Sequence, residues 1–111
     1  MINFSKYDVV VVKFPFASST KYKARPAVVI SSEIYNKDAR DSLLIMAISS
    51  KIDNALTFEY LIDDWKSAGL LKSSIFKAAI ATIEKEYVLS KIGELSNKDA
   101  KKIQKLITKI C

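Results

Sequence analysis

The apolar residues of this chain fall in short blocks, and their spacing changes from strand-like to helix-like only near the end. Val9 to Phe14 is a β-branched run, the pattern of a strand buried on both faces. Pro15 is expected to end it, because proline cannot donate to a ladder. Ala27 to Ser31 and Leu43 to Ile48 read as a second and a third buried strand. Further on, Leu56, Phe58, Tyr60 and Ile62 alternate with Thr57, Glu59 and Leu61, the period of a half-exposed strand. Asp63 or Asp64 can cap a short helical turn through Trp65 and Ala68, which Gly69 stops. Ser73 to Ile83 reads as another strand with a small-residue centre. Tyr87 to Ile92 fits either strand or turn, closed by Gly93.

The last segment has a different period. Ser96 with Asp99 three residues on forms a capping-box-like start, and Ala100, Ile103, Leu106, Ile107 and Ile110 then share one helical face. Lys101, Lys102, Lys105 and Lys109 fall largely opposite, where a solvated face and a nucleic-acid contact are both open readings. Burying the apolar face contributes at most roughly 1.5–3 kcal/mol per large aliphatic side chain. Many short strands followed by one terminal helix predict a mainly β, α+β architecture: a small barrel or strongly bent sheet capped by helices. With only two glycines, its turns must rely on Asn, Asp and Ser. No repeat or Pro/Gly-rich linker divides the chain, so residues 1–111 are expected to form a single domain.

Composition adds bounds. No apolar run approaches the roughly 18 residues needed to cross a bilayer, and the polar N-terminus lacks a signal-peptide core, so a cytoplasmic location without membrane contact is expected. The one cysteine, Cys111, fits a reducing compartment. The net charge of +6 is uneven: residues 1–25 carry five positive charges and one negative, residues 33–64 three positive and seven negative. Such asymmetry suits a polyanion-binding face, although a lysine-rich genome produces a basic chain too.

There is no histidine, which removes the commonest general base and metal ligand, and the lone terminal cysteine removes thiolate sites. No metal or other cofactor is expected, and Ser–His or Cys–His catalysis is excluded. Between the first two strands lies a basic, serine-rich loop, Ala17 to Lys23, leading to Arg25 and Pro26. The chain has two arginines against sixteen lysines, so a guanidinium at the start of a buried strand stands out. It is either paired with a carboxylate or kept for an anionic ligand. One reaction suits this inventory: cleavage of RNA by attack of its own 2′-hydroxyl, in which the protein aligns the nucleophile and stabilises phosphate charge. The strand end at Ser49 and Ser50 offers hydroxyl donors, or ordinary caps, and adjacent serines point to opposite faces. Lys13, Lys21, Lys23, Lys51 and Lys77 are the candidate phosphate track. Phe14, Phe16, Tyr22 and Tyr35 are the candidate base-stacking residues, Phe14 fitting the core as well. Glu59, Asp63 and Asp64 are the carboxylates considered as a base.

The series D-V-V-V-V-K-F-P-F, a basic loop, R-P-A-V-V-I-S, A-I-S-S-K, A-G-L-L-K-S-S-I, A-T-I-E-K and K-I-G-E-L-S resembles the PemK/MazF family of bacterial toxins over nearly the whole chain. The resemblance implies an SH3-like β-barrel of the MazF/Kid/CcdB type with a C-terminal amphipathic helix, assembled as a homodimer. It implies a growth-inhibiting endoribonuclease, independent of metal, that cuts single-stranded RNA and leaves 2′,3′-cyclic phosphate and 5′-hydroxyl ends. Arg25 and Ser49 would be catalytic, with Ser50 beside them. The implied partner is an antitoxin whose acidic C-terminal segment covers the RNA groove, and operator DNA would be bound through the toxin–antitoxin complex. The chain departs from the family at Ala78, Ala79 and Ala81, where many relatives carry an acidic residue, Gln and Arg. A non-catalytic nucleic-acid-binding barrel, or a degenerate one that only binds antitoxin, is the alternative.

Overall fold

The structure is a computed structural model describing residues 4–15, 22–38, 41–50 and 60–110, with backbone alone at Phe14, Pro15, Tyr22, Lys23, Asp38 and Ala78. In chain order it comprises β1 (Asp8–Pro15), β2 (Tyr22–Val29), α1 (Glu33–Asp38), β3 (Ser42–Ser49) and β4 (Tyr60–Leu61). There follow β5 (Ile75–Glu84), a 3-10 turn (Lys85–Tyr87), β6 (Val88–Glu94) and α2 (Asn97–Ile110). The strands form one six-stranded sheet in the order β4-β5-β3-β2-β1-β6, with every neighbouring pair antiparallel.

That order forces the sheet to coil. From Glu84 at the end of β5 to Val88 at the start of β6 the chain takes four steps, a reach of at most about 14 Å. Yet β6 pairs with β1, four strand positions away from β5, which in a flat sheet is about 19 Å. Only a sheet rolled toward a barrel lets so short a link join the two. Register shifts between Val9 and Val10, between Val11 and Val12, and between Met46 and Ile48 supply local bends. Among the described residues the ladder stays open at β4 and β6.

The valine run is buried on both faces, as its pattern predicts. Val9 joins Val28, Met46, Phe76, Ile62, Ile103 and Leu106 in the cluster beneath α2. Val10 and Val12 turn the other way, to Ala27, Val29, Leu43, Ile45 and Ile83. α2 begins where the capping pattern places it: the Asp99 N–H donates to Ser96 Oγ (3.3 Å) and the Ala100 N–H to the Ser96 carbonyl (2.8 Å). No described helix is long and apolar enough to cross a membrane.

Three local expectations change. β2 starts at Tyr22, so Tyr22 and Lys23 belong to a strand paired with Pro15 and Phe14 rather than to the loop. α1 has no apolar period long enough to announce it, and is set by Ser32, whose Oγ accepts the Tyr35 N–H (3.2 Å). Of the segment at 87–92, Tyr87 closes the 3-10 turn and residues 88–92 are strand, part of β6. Of the alternating segment at 56–62, Tyr60–Leu61 forms β4, and residues 56–59 lie outside the described residues.

Candidate active site

Strand register assembles the site. β2 and β3 pair through Val29↔Ile45, Val28↔Met46 and Ala27↔Ala47. Continued by two residues, this register sets Arg25 opposite Ser49. The ladder stops short of that pair, and Pro26, lacking an N–H, cannot extend it as a donor. β5 lies on the other side of β3 through Ile48↔Phe76 and Ser49↔Ile75, which carries Lys77 to the same end of the sheet. A cleft of about 450 Å³ opens there. Arg25, Lys72 and Lys77 supply its positive charge and Ser49, Ser50 and Ser74 its hydroxyls. Pro26, Ile48, Leu70, Leu71 and Ile92 form its apolar part, and no carboxylate is among its described lining residues.

Arg25 is exposed at the cleft, although Ala27, Val28 and Val29 immediately after it are fully buried. Among the described residues it makes no ion pair. Of the two readings of a guanidinium at this position, pairing with a carboxylate is not seen among the described residues. Ser50 follows Ser49 at the bend after β3, and both line the cleft, so opposite pointing does not remove one of them.

The remaining candidates separate. Lys13 pairs in register with Ala24 and does not line the cleft. Tyr22 and Lys23 lie on β2 upstream of Arg25, described in backbone only, while Phe16, Lys21 and Lys51 lie outside the described residues. Two lining groups escape a reading of pattern alone, Leu71 and Lys72. The block Leu70-Leu71-Lys72 carries no period, so nothing in it tells the buried leucine from the exposed one.

Both glycines hold the wall that bears these groups. A Cβ on Gly69, whose φ is +87°, would sit 2.0 Å from the Ile92 carbonyl oxygen, and one on Gly93 would sit 2.3 Å from that of Ala68. The turn before β5 therefore packs backbone to backbone on β6, an approach open only to residues without side chains. Next to this contact, the Leu70 N–H donates to the Trp65 carbonyl (3.0 Å). Trp65 packs against the core and not in the cleft.

The carboxylates considered as a base are used elsewhere. Asp63 accepts from Lys102 (2.5 Å) and pairs with Lys98 (3.3 Å), and those two ammonium groups hold its carboxyl below the ordinary range. Asp64 accepts from the Ser96 hydroxyl (2.5 Å). Asp99, fully buried, accepts the backbone N–H groups of Asp63 (3.0 Å) and Asp64 (2.9 Å). Neither Asp63 nor Asp64 lines the cleft, and Glu59 lies outside the described residues.

A family profile described as "PemK-like, MazF-like toxin of type II toxin-antitoxin system" matches residues 5–111. The chain belongs to this family. Among solved structures, it is similar to MazF in a MazE–MazF complex from Deinococcus radiodurans, with TM-score 0.78, 13% identity, and coverage of 98% of this chain and 97% of that one. An endoribonuclease in complex with its cognate antitoxin from a mycobacterial species matches with TM-score 0.74, 14% identity and coverage of 98% and 93%. The Mycobacterium tuberculosis toxin MazF-mt6 matches with TM-score 0.74, 17% identity and coverage of 92% and 93%. No protein in a search of curated sequences matches. At such identities the likeness is one of fold: the rolled antiparallel sheet with its C-terminal helix is that of the MazF toxins.

Proposed function

We propose that this PemK/MazF-family chain is the toxin of a type II toxin–antitoxin pair and acts as a metal-independent endoribonuclease on single-stranded RNA. The observation that carries this reading is Arg25, exposed at a cationic cleft that Ser49 also lines, with no ion pair among the described residues.

A backbone phosphate entering the cleft meets the guanidinium fork, which matches two non-bridging oxygens. Ser49 donates a further hydrogen bond, and Lys72 and Lys77 hold flanking phosphates. The adjacent 2′-oxygen attacks phosphorus and loses its proton, the bond to the 5′-oxygen breaks, and that oxygen leaves as a hydroxyl after taking up a proton. The products are a 2′,3′-cyclic phosphate and a 5′-hydroxyl. The protein's contribution is charge stabilisation and alignment, strongest for the pentacoordinate phosphorus.

The same positive cleft suits an acidic C-terminal antitoxin segment, which would block RNA by occupying it, so that the free toxin arrests growth. Homodimerisation, operator DNA binding through the antitoxin complex, and a cytoplasmic site of action belong to the same proposal.

The decisive experiment incubates purified protein with single-stranded RNA in excess chelator and maps the fragment ends. Cyclic-phosphate products from the wild type, absent with Arg25→Ala, are expected; intact RNA, or cleavage insensitive to that change, rejects the reading. A non-catalytic nucleic-acid-binding barrel is favoured by one observation: the described cleft lining offers neither carboxylate nor histidine for proton transfer. Salt-dependent binding without strand scission is its signature.

A further inference from the structure

Leu71 is 94% exposed, against 8% for Leu70 beside it, and it stands on the lining of the cationic cleft. The residues on either side of it are tied down. Leu70 is tied to Trp65, the Ser74 hydroxyl donates to the Lys72 carbonyl (2.9 Å), and the Ile62 N–H donates to the Ser74 carbonyl (2.9 Å). The glycine contact at Gly69 anchors the same turn. This exposed leucine shares the cleft lining with the apolar Ile48 and Ile92 and with the cations Arg25 and Lys72.

Apolar surfaces flanked by cations fit a ligand that is flat and apolar in one part and anionic in the next. A nucleotide within a single strand has that form, since every base offers a π-face and every linkage a phosphate. Resting on the ribonuclease reading above, we propose that this part of the cleft is a subsite for one nucleobase adjoining the cleaved bond. Leu71 packs on the face of that base and Lys72 holds its phosphate. Leu71 is thereby a specificity-determining residue: it favours RNA in which an unpaired base is free to swing onto it.

The test is a two-by-two comparison, after the wild-type cleavage position is mapped. Wild type and Leu71→Ala are each assayed on an RNA oligonucleotide and on the same oligonucleotide made abasic on either side of the cut. For the intact RNA, kcat/KM is expected to fall about tenfold on truncation, in line with the loss of one base contact. For one of the two abasic RNAs it is expected to change less than about twofold, and Leu71→Phe should recover the intact-RNA rate. Equal loss on intact and both abasic RNAs, or no loss on the intact RNA, overturns the proposal. If the wild type does not cut at all, the ribonuclease reading fails separately. The subsite is then decided by affinity: Leu71→Ala should weaken binding of the intact RNA and leave binding of a wholly abasic strand of the same length unchanged, and equal loss on both overturns it. Leu71 is exposed, so an unchanged thermal unfolding midpoint confirms that the variant is folded.

Discussion

Two charged regions of this molecule use the same residue types to opposite ends. At the foot of α2, every acidic group is answered: Asp63 by Lys98 and Lys102, Asp64 by Ser96, and Asp99 by two backbone N–H groups. In the cleft, Arg25, Lys72 and Lys77 share a space whose described lining holds no carboxylate. Charge satisfied locally stabilises a turn and a helix start. Cations gathered on one cleft wall raise a positive potential there, which favours an anionic ligand. The contrast shows how a +6 chain divides its ions between holding a turn in shape and lining a cleft.

The sharpest way to break this contrast is to exchange the consequences of losing a charge. Arg25→Ala should reduce RNA cleavage by roughly a hundred- to a thousandfold, the size of losing one oxyanion donor. Its stability should change by no more than about 0.5 kcal/mol, as for other exposed positions. Quantitative cleavage assays and denaturant melts on one preparation check both halves. Asp99→Ala should do the reverse, destabilising the fold by about 2 kcal/mol because two part-buried N–H groups lose their acceptor. Cleavage per folded molecule should change little, read by normalising activity to the folded fraction. Gly93→Ala, which brings a methyl against the Ala68 carbonyl, should cost about 2 kcal/mol and also disturb the cleft wall, seen as a raised KM.

Lys72→Ala should weaken RNA binding a few-fold at moderate salt and lower the slope of log affinity against log salt by about 0.7, as expected for one lost contact to a single strand. The smallest effect belongs to Asp63. Lys102 and Lys98 depress its carboxyl from the usual value of 3.8, so the folded state binds that proton less readily than the unfolded chain. The stability it contributes is present above about pH 4 and is lost as pH falls through the lowered folded value. Melting temperatures of wild type and Asp63→Asn should therefore differ at neutral pH and converge in acid, and a constant difference across that range would dissolve the contrast drawn here.

Much of the framework was legible because it rests on periodicity. The valine run, the strands at 27–31 and 43–48, and the helix after Ser96 all carry spacings with one structural solution. What was illegible had no period. α1 depends on a single serine cap, and β6 reads equally well as turn. The functions of Asp63 and Asp64 depend on lysines and a serine more than 30 positions away.

The site divides likewise. Arg25, Ser49, Ser50 and Lys77 were named from residue chemistry and resemblance, while Lys13 was named with them and lies off the cleft. Leu71 and Lys72 became visible only once the turn at Gly69 was seen against β6. By itself the sequence determined which residues can bear charge or pack, and the order in which strands and helix follow. Only tertiary structure decided which charges are neutralised and which are gathered together. Neutralisation depends on distances between strands and turns far apart in the chain, and these are set by how the sheet rolls.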